Sequence, residues 1–346
     1  MDTRHSGDPV FEQFQFLVNA PALFNAVATA VELRIFHFLA ANPESDFDAL
    51  LAATDMPRHQ LRVLLQAVCT TGLLRRENGN YSNSAVAQDL LASDAEDSWG
   101  HIIVGWKEVY YPAFAQMTTA LKAGTNTALD SYPGDEPTLY QRLSRNPELE
   151  AVFHRAMSAF TLQSVEALVQ RPEFESVHKL LDIGGGDGTT SARLVARHPQ
   201  LTSTVFDMPS VSKLGEDKAA AVFPDRVELH PGDVFNDEFP LGADAVLFSH
   251  ILEIFSEDQI LGLMKKAYDA LPEGGKVFVY GYNVSDDETQ GIFGARLGLY
   301  FNVLASGQGM AYPARDYEGW LREAGFTSVE TIGGLPYEHG LTLGVK

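Results

Sequence analysis

The spacing of apolar residues changes character once along this chain. Through the first half they recur every three or four positions, as on one face of a helix. Phe14, Leu17 and Val18 share a face of a short first piece. Pro21 fits the first turn of a new helix, where its missing N–H costs nothing, and Phe24, Val27, Ala28 and Val31 carry the period onward. Residues 31–39 extend as an apolar helix. Asp46 can cap a second helix through Leu51, and 58–71 reads as a third, closed by Gly72. Leu73 to Arg76, the turn Glu77-Asn78-Gly79-Asn80 and Tyr81-Ser82 then read as a hairpin, because Asn-Gly supplies the positive φ angles of a tight turn. Three helices followed by a hairpin form a winged-helix pattern.

Residues 98–175 read as helical, with breaks at Tyr111-Pro112 and at 124–137. Trp106, Tyr110, Tyr111, Phe114, Tyr140, Phe153 and Phe160 fall here and suit either interhelical core or the wall of an apolar pocket. From residue 178 short apolar runs alternate with helices. Strands are expected at 179–183, 203–207, 227–231, 245–249 and 276–280, and, after a helix at 313–324, at 328–332 and 340–345. Such alternation implies a doubly wound α/β sheet of about seven strands, mostly parallel, with the last pair as an antiparallel hairpin at one edge. The expected division is 1–97, a winged-helix-like unit; 98–175, a helical connector carrying pocket helices; and 176–346, the α/β domain.

Charge narrows the function. The chain has 346 residues and a net charge of −21. An acidic surface repels phosphate backbones and anionic headgroups, so neither nucleic acid nor membrane is an expected partner. The third helix carries only Arg58 and Arg62 as certain charges, which turns the winged-helix pattern toward a dimerisation scaffold rather than a DNA reader. The first residues are polar, with no apolar segment of a secretory signal. No apolar run is read as approaching the roughly 20 residues of a membrane span. A soluble, cytoplasmic protein is expected, and its one cysteine, Cys69, reads as a core residue.

The sharpest chemical signal is Leu181-Asp182-Ile183-Gly184-Gly185-Gly186-Asp187-Gly188, between a strand and a helix. Gly184 and Gly186 let the backbone approach a ligand closely, at the carboxyl end of a strand where such sheets bind ligands. A dinucleotide fingerprint would want Gly or Ala at Thr189, and the acidic Asp182 and Asp187 would repel a pyrophosphate. They suit a ligand with a cationic amine and a sulfonium. Asp207 ends the second strand and can accept from both hydroxyls of a ribose. Asp233, in Gly232-Asp233-Val234-Phe235, ends the third, placed to accept from an adenine amine while Val234 and Phe235 offer apolar contact to the ring.

Together with Val205-Phe206-Asp207-Met208-Pro209, Leu271-Pro272-Glu273-Gly274-Gly275 and residues 320–326, these motifs make the chain from about residue 30 resemble the plant-type small-molecule O-methyltransferases and their bacterial natural-product relatives. The resemblance implies a Rossmann-like domain binding S-adenosylmethionine (SAM), through Asp182, Gly184, Gly186, Asp207, Met208, Asp233, Val234, Phe235 and Ser249. It also implies an N-terminal dimerisation domain, a homodimer, and a small-molecule substrate under helices that include the partner's N-terminus.

The chain departs from that family after its fourth strand. The family shows His-Asp-Trp there, the His being a general base, oriented by a Glu in the loop before the last long helix. Here Ser249-His250-Ile251-Leu252-Glu253-Ile254-Phe255 puts Glu253 at the His, and Ala311 falls at the Glu. Glu253 is the candidate base, provided burial raises its pKa. His250 is the nearest histidine. Their i, i+3 spacing could place both on one helical face, but no metal is expected without a further ligand. The expected reaction is SAM-dependent O- or C-methylation of a small aromatic or enolisable metabolite. The alternative is a SAM-binding protein of the same fold catalysing a rearrangement, decarboxylation or hydroxylation.

Overall fold

The computed structural model describes residues 7–346, so the polar start at 1–6 lies outside the described residues. Two compact units divide the chain: Met1–Pro112 with Glu148–Phe160, and Ala113–Pro147 with Thr161–Lys346. The segment 98–175 is thus shared between the two.

The first unit opens on a single helix, Pro9–Glu32, capped by Asp8, whose side chain accepts from Val10 N at 2.9 Å. It runs through Pro21 rather than restarting there. A proline removes one N–H from this long ladder, and side chains reinforce the turns around it: Asn19 donates to Gln15 O, Asn25 to Pro21 O and Thr29 to Asn25 O. The apolar stretch 31–39 is not continuous. Arg34 takes a left-handed conformation (φ 57°), held by paired bonds to Asp94, and a new helix, Ile35–Ala41, turns Ile35, Phe36 and Leu39 into the core. Asp46 caps Phe47–Thr54 by accepting from Ala49 N. Helix Arg58–Thr70 leads to strands β1 (Leu74–Glu77) and β2 (Asn80–Asn83), joined by Asn78 and Gly79 at φ 49° and 92°. Cys69 is only half-buried, at the edge of this core.

Only the second half of Pro9–Glu32 packs into that core, through Val27, Ala28, Ala30 and Val31. In the first half Val10, Phe14, Phe16, Leu17 and Val18 are more than half exposed. By length and composition this helix could cross a membrane, contrary to the reading that no apolar run approaches that length. A second correction lies at Tyr111-Pro112, where the backbone stays helical. Trp99–Gly105 passes into a wider π turn, Trp106–Tyr110, in which Tyr111 N–H reaches Trp106 O, and then into Tyr111–Ala113. A π turn absorbs such an irregularity without ending the helix.

The second unit holds a seven-stranded sheet: β3 (Lys179–Ile183), β4 (Thr202–Asp207), β5 (Val227–Pro231), β6 (Ala245–Ser249), β7 (Lys276–Tyr282), β8 (Thr327–Leu335) and β9 (His339–Val345). The order is β5-β4-β3-β6-β7-β9-β8. The five strands from β5 to β7 run parallel; β9 is antiparallel to both β7 and β8, so the final hairpin inserts its second strand inward and leaves β8 at the edge. Side-chain alternation along buried strands supplies two apolar layers. Leu181, Ile183, Val246, Phe248, Val277 and Val279 face helices Glu257–Ala270 and Ala314–Ala324. Leu180, Leu247, Phe278 and Tyr280 face helix Thr189–Arg197 and residues 162–169. The order of connection reverses between β3 and β6, and ligands in open α/β sheets bind outside the carboxyl ends of strands at such a point.

Candidate active site

The glycine loop leaves β3 at this switch point. Gly184, Gly186 and Gly188 all have φ between 63° and 77°, which side chains with a Cβ rarely adopt. The loop also has no room on one side: a Cβ on Gly184 would lie 1.9 Å from Ile251 Cδ1. A Cβ on Gly186 would meet nothing within 4 Å, so this glycine faces open space.

Asp207, at the end of β4, ties the loop to its own strand. Its Oδ2 accepts from Gly186 N at 2.8 Å and its Oδ1 from Met208 N at 2.7 Å. A carboxylate has about four lone-pair sites, so two acceptor sites remain for a ligand's hydroxyls. Burial pushes the Asp207 carboxyl above its ordinary value, against the pull of the two backbone N–H groups. Met208 beside it is exposed.

Asp182 lies beneath the loop and is wholly buried. A Cβ on Gly185 would lie 2.6 Å from its Oδ2. That oxygen accepts from Ser191 Oγ at 2.6 Å, and Ser191 in turn pairs with Ser203, while Oδ1 has no hydrogen-bond partner among the described residues. Burial raises its pKa to about 7, with the charge of Asp207 pushing the same way. Asp187 behaves oppositely. Burial works to raise its pKa, but Lys218 and Thr189 prevail and hold it below the ordinary value.

After β5, the Asp233 carboxylate closes a turn. Its Oδ1 accepts from Phe235 N at 2.8 Å and Asn236 N at 3.3 Å, and its Oδ2 from the Asn236 side chain. These bonds, Phe235 N–H first, lower its pKa. Lys266 fastens the same turn through the carbonyls of Val234 and Asp237. Phe235 stands out from it, 44 % exposed, with its ring edge-on to Phe255 at 4.9 Å.

The segment after β6 holds the two candidate catalytic residues. Ser249 closes the strand opposite Tyr280. His250 has φ 56°, unusual for a residue with a side chain, and its N–H donates to Tyr280 O. Its ring packs among Tyr280, Tyr282 and His339 at centroid distances of 5.4, 5.5 and 4.9 Å. Nε2 of His250 has no hydrogen-bond partner among the described residues. Burial, and then the neighbouring His339, drive its pKa well below the ordinary value, so the ring is neutral.

Glu253 belongs to a single 3-10 turn, Leu252–Ile254, and is 2 % exposed. Its Oε1 accepts from Tyr282 N at 3.0 Å, and burial raises its pKa to about 7. The expectation that His250 and Glu253 share one helical face is overturned. The left-handed turn at His250 sends its ring to the side of Tyr280 and Tyr282. Glu253 lies on the other side of β7, against Gly281, where a Cβ would come within 2.0 Å of Oε1. Gly281 was missed because the strand was expected to stop at Tyr280; a glycine within a strand pattern is itself a signal of close approach. Nothing local pointed to His339, which reaches the site from β9. Among the described residues, no three His, Cys, Asp or Glu side chains gather as metal ligands would.

Comparison with known proteins gives this geometry a context. An O-methyltransferase domain family matches residues 114–327, and an O-methyltransferase dimerisation domain family matches 17–93. An L-tyrosine C(3)-methyltransferase of Streptomyces lavendulae is 31% identical over 97% of this chain and 93% of its own length. A 3-hydroxy-5-methyl-1-naphthoate 3-O-methyltransferase of Streptomyces sahachiroi is 30% identical over 92% and 91%. The apo crystal structure of the S-adenosylmethionine-dependent methyltransferase SibL superposes with a TM-score of 0.86 at 32% identity, over 96% of this chain and 98% of that one.

Proposed function

The chain belongs to the O-methyltransferase family and is a SAM-dependent methyltransferase, and within that family we propose that it methylates a phenolic metabolite, at the ring carbon beside the hydroxyl. SAM supplies an electrophilic methyl group on a sulfonium. The residues at the carboxyl strand ends fit it: Gly184 and Gly186 for close backbone approach, Asp207 with two acceptor sites left for ribose hydroxyls, and Met208, Val234 and Phe235 as apolar surface for the adenine. Asp233 is assigned to the adenine amine, with Ser249 on the floor between β3 and β6; Asp182, wholly buried and bonded to Ser191, is assigned to supporting the glycine loop from beneath, not to the direct contact with SAM expected of it.

The observation that carries the reading is Glu253. Its buried carboxylate, with a pKa of about 7, follows β6 in the segment where the resemblance puts the family's histidine, and Ala311 falls where it puts the orienting acid. A carboxylate in that range can take the phenol proton. The resulting phenolate is nucleophilic at oxygen and at the adjacent ring carbon. Attack by carbon breaks the sulfonium–methyl bond, forms the new C–C bond and leaves a dienone, whose ring proton is then lost to restore the aromatic ring. Carbon is favoured over oxygen because the relative from S. lavendulae is named for a ring carbon. His250, caged and neutral, is assigned the supporting role of holding the turn that presents Glu253.

The exposed apolar half of Pro9–Glu32 is assigned to a second copy of the chain. The dimerisation domain match begins within it, and the charge of −21 opposes a bilayer with anionic headgroups. Incubation with SAM and a panel of phenolic amino acids and hydroxynaphthoates tests the reaction. A product heavier by one CH₂, with the new methyl on carbon by NMR, is expected. A methyl ether would move the assignment to oxygen, and an unchanged carbon count would defeat methyl transfer to that panel.

A further inference from the structure

We infer that Gly281 is a positioning residue of the methyl-transfer site: the space left by its missing side chain is the slot in which the Glu253 carboxylate sits. The inference rests on Glu253 being the proton acceptor.

The slot follows from strand geometry. Alternation along β7 sends Tyr280 and Tyr282 to the His250 side, so position 281 faces the other way. A side chain at 281 would occupy that face. Instead the face is filled by Glu253, whose Oε1 and Cδ would lie 2.0 and 2.9 Å from a Cβ built on Gly281. The carboxylate meets the strand Oε1 first, and Oε1 accepts from the N–H of the next residue, Tyr282, at 3.0 Å.

A second glycine closes the arrangement from behind. Gly309 has φ 81°, and a Cβ on it would lie 2.2 Å from Glu253 O and 2.8 Å from Ile254 C. Its carbonyl is held by the Asn302 side chain at 2.7 Å. Glu253 is therefore gripped at its backbone by one glycine and at its carboxylate by another. Retreat of the Glu253 backbone would drive it against Gly309.

A methyl group at 281 would displace the carboxylate and break the bond from Tyr282 N–H. That bond favours the ionised form, so its loss raises the pKa of Glu253 further. Among the described residues, Tyr317 of helix Ala314–Ala324 feels the Glu253 charge; burial holds its hydroxyl well above the ordinary value, so it stays neutral.

The test is Gly281→Ala in the full-length enzyme, alone and combined with Glu253→Ala. Alone, it should lower kcat by about 10²-fold, as expected of a misplaced catalytic group. The rising limb of the pH profile should move to higher pH, with SAM affinity unchanged by calorimetry. In the Glu253→Ala background, where the side chain in the way is gone, it should cost nothing further. Thermal stability follows the same cycle and needs no acceptor substrate: Gly281→Ala should lower Tm, and adding Glu253→Ala should restore it. Equal losses from Gly281→Ala in both backgrounds, or an unmoved pH limb, would overturn the slot. A failure of the Glu253 reading looks different: Glu253→Gln would keep full activity while the Tm cycle still showed the coupling.

Discussion

His250 and Glu253 are three residues apart yet lie on opposite sides of β7, the ring among Tyr280, Tyr282 and His339 and the carboxylate against Gly281. They cannot converge on one ion without breaking the bond between Glu253 and Tyr282 N–H. Turnover should therefore be unchanged by EDTA and by added Mg²⁺ or Zn²⁺. Loss of activity on chelation, restored by one of these ions, would return the pair to a metal-binding role.

Glu253→Gln retains the shape but not the proton acceptor. The rate should fall by about 10²–10⁴, with SAM binding intact. The wild-type rate should rise with pH through about 7, because the ionised carboxylate is the active form, and then level off. The variant should lack that rise. A profile that instead tracks the substrate's own ionisation would mean that positioning carries the catalysis.

Asp207→Ala removes the acceptor at the end of β4 and also releases Gly186 N–H and Met208 N–H. SAM affinity should weaken by about 1.5–3 kcal/mol, the range for hydrogen bonds to a charged group. Isothermal calorimetry on variant protein with a native circular dichroism spectrum measures this. Wild-type affinity would remove Asp207 from the cofactor site.

Asp182 makes stability depend on pH. Its pKa rises from 3.8 to about 7 on folding, so between those values the folded state binds more protons than the unfolded one. Stability then falls as pH rises from about 4 to about 7 and is flat beyond, by on the order of 4 kcal/mol for this group. Glu253 acts in the same direction over a similar window. Urea titrations at pH 5 and pH 8 should show the loss in wild type and a smaller one in Asp182→Asn. A variant with the full wild-type slope would place the dependence elsewhere.

Phe14 and Leu17 are 54 % and 67 % exposed on the first half of helix Pro9–Glu32. If a second copy covers them, sedimentation at micromolar concentration should give about twice 37.9 kDa, and Phe14→Glu with Leu17→Glu should shift the mass toward a single chain. Dimers that persist in the double variant would place the interface on another face.

Features set within a few residues were legible in the chain itself. The bounds of β3, β5 and β6, the Asp46 cap and the Asn78-Gly79 turn follow from short apolar runs between turn residues, a side chain reaching its own helix and the positive φ of a tight turn. The positions of the glycine loop, of Asp207 at the end of β4 and of Asp233 just past β5 were equally legible, because strand ends are set locally. Tertiary structure decided what depended on distant neighbours. Pro21 stays within a helix whose neighbouring turns carry extra side-chain bonds, and the left-handed turn at Arg34 goes with a pairing to Asp94, sixty residues away. The spacing of His250 and Glu253 was compatible with one shared face. Their separation depends on a left-handed turn at His250 and on a strand some thirty residues later that presents two tyrosines to one side and a bare glycine to the other. A hydrophobic period records which residues leave water; it carries no information about which partner fills the space they enter, and that is fixed only when the strands are assembled side by side.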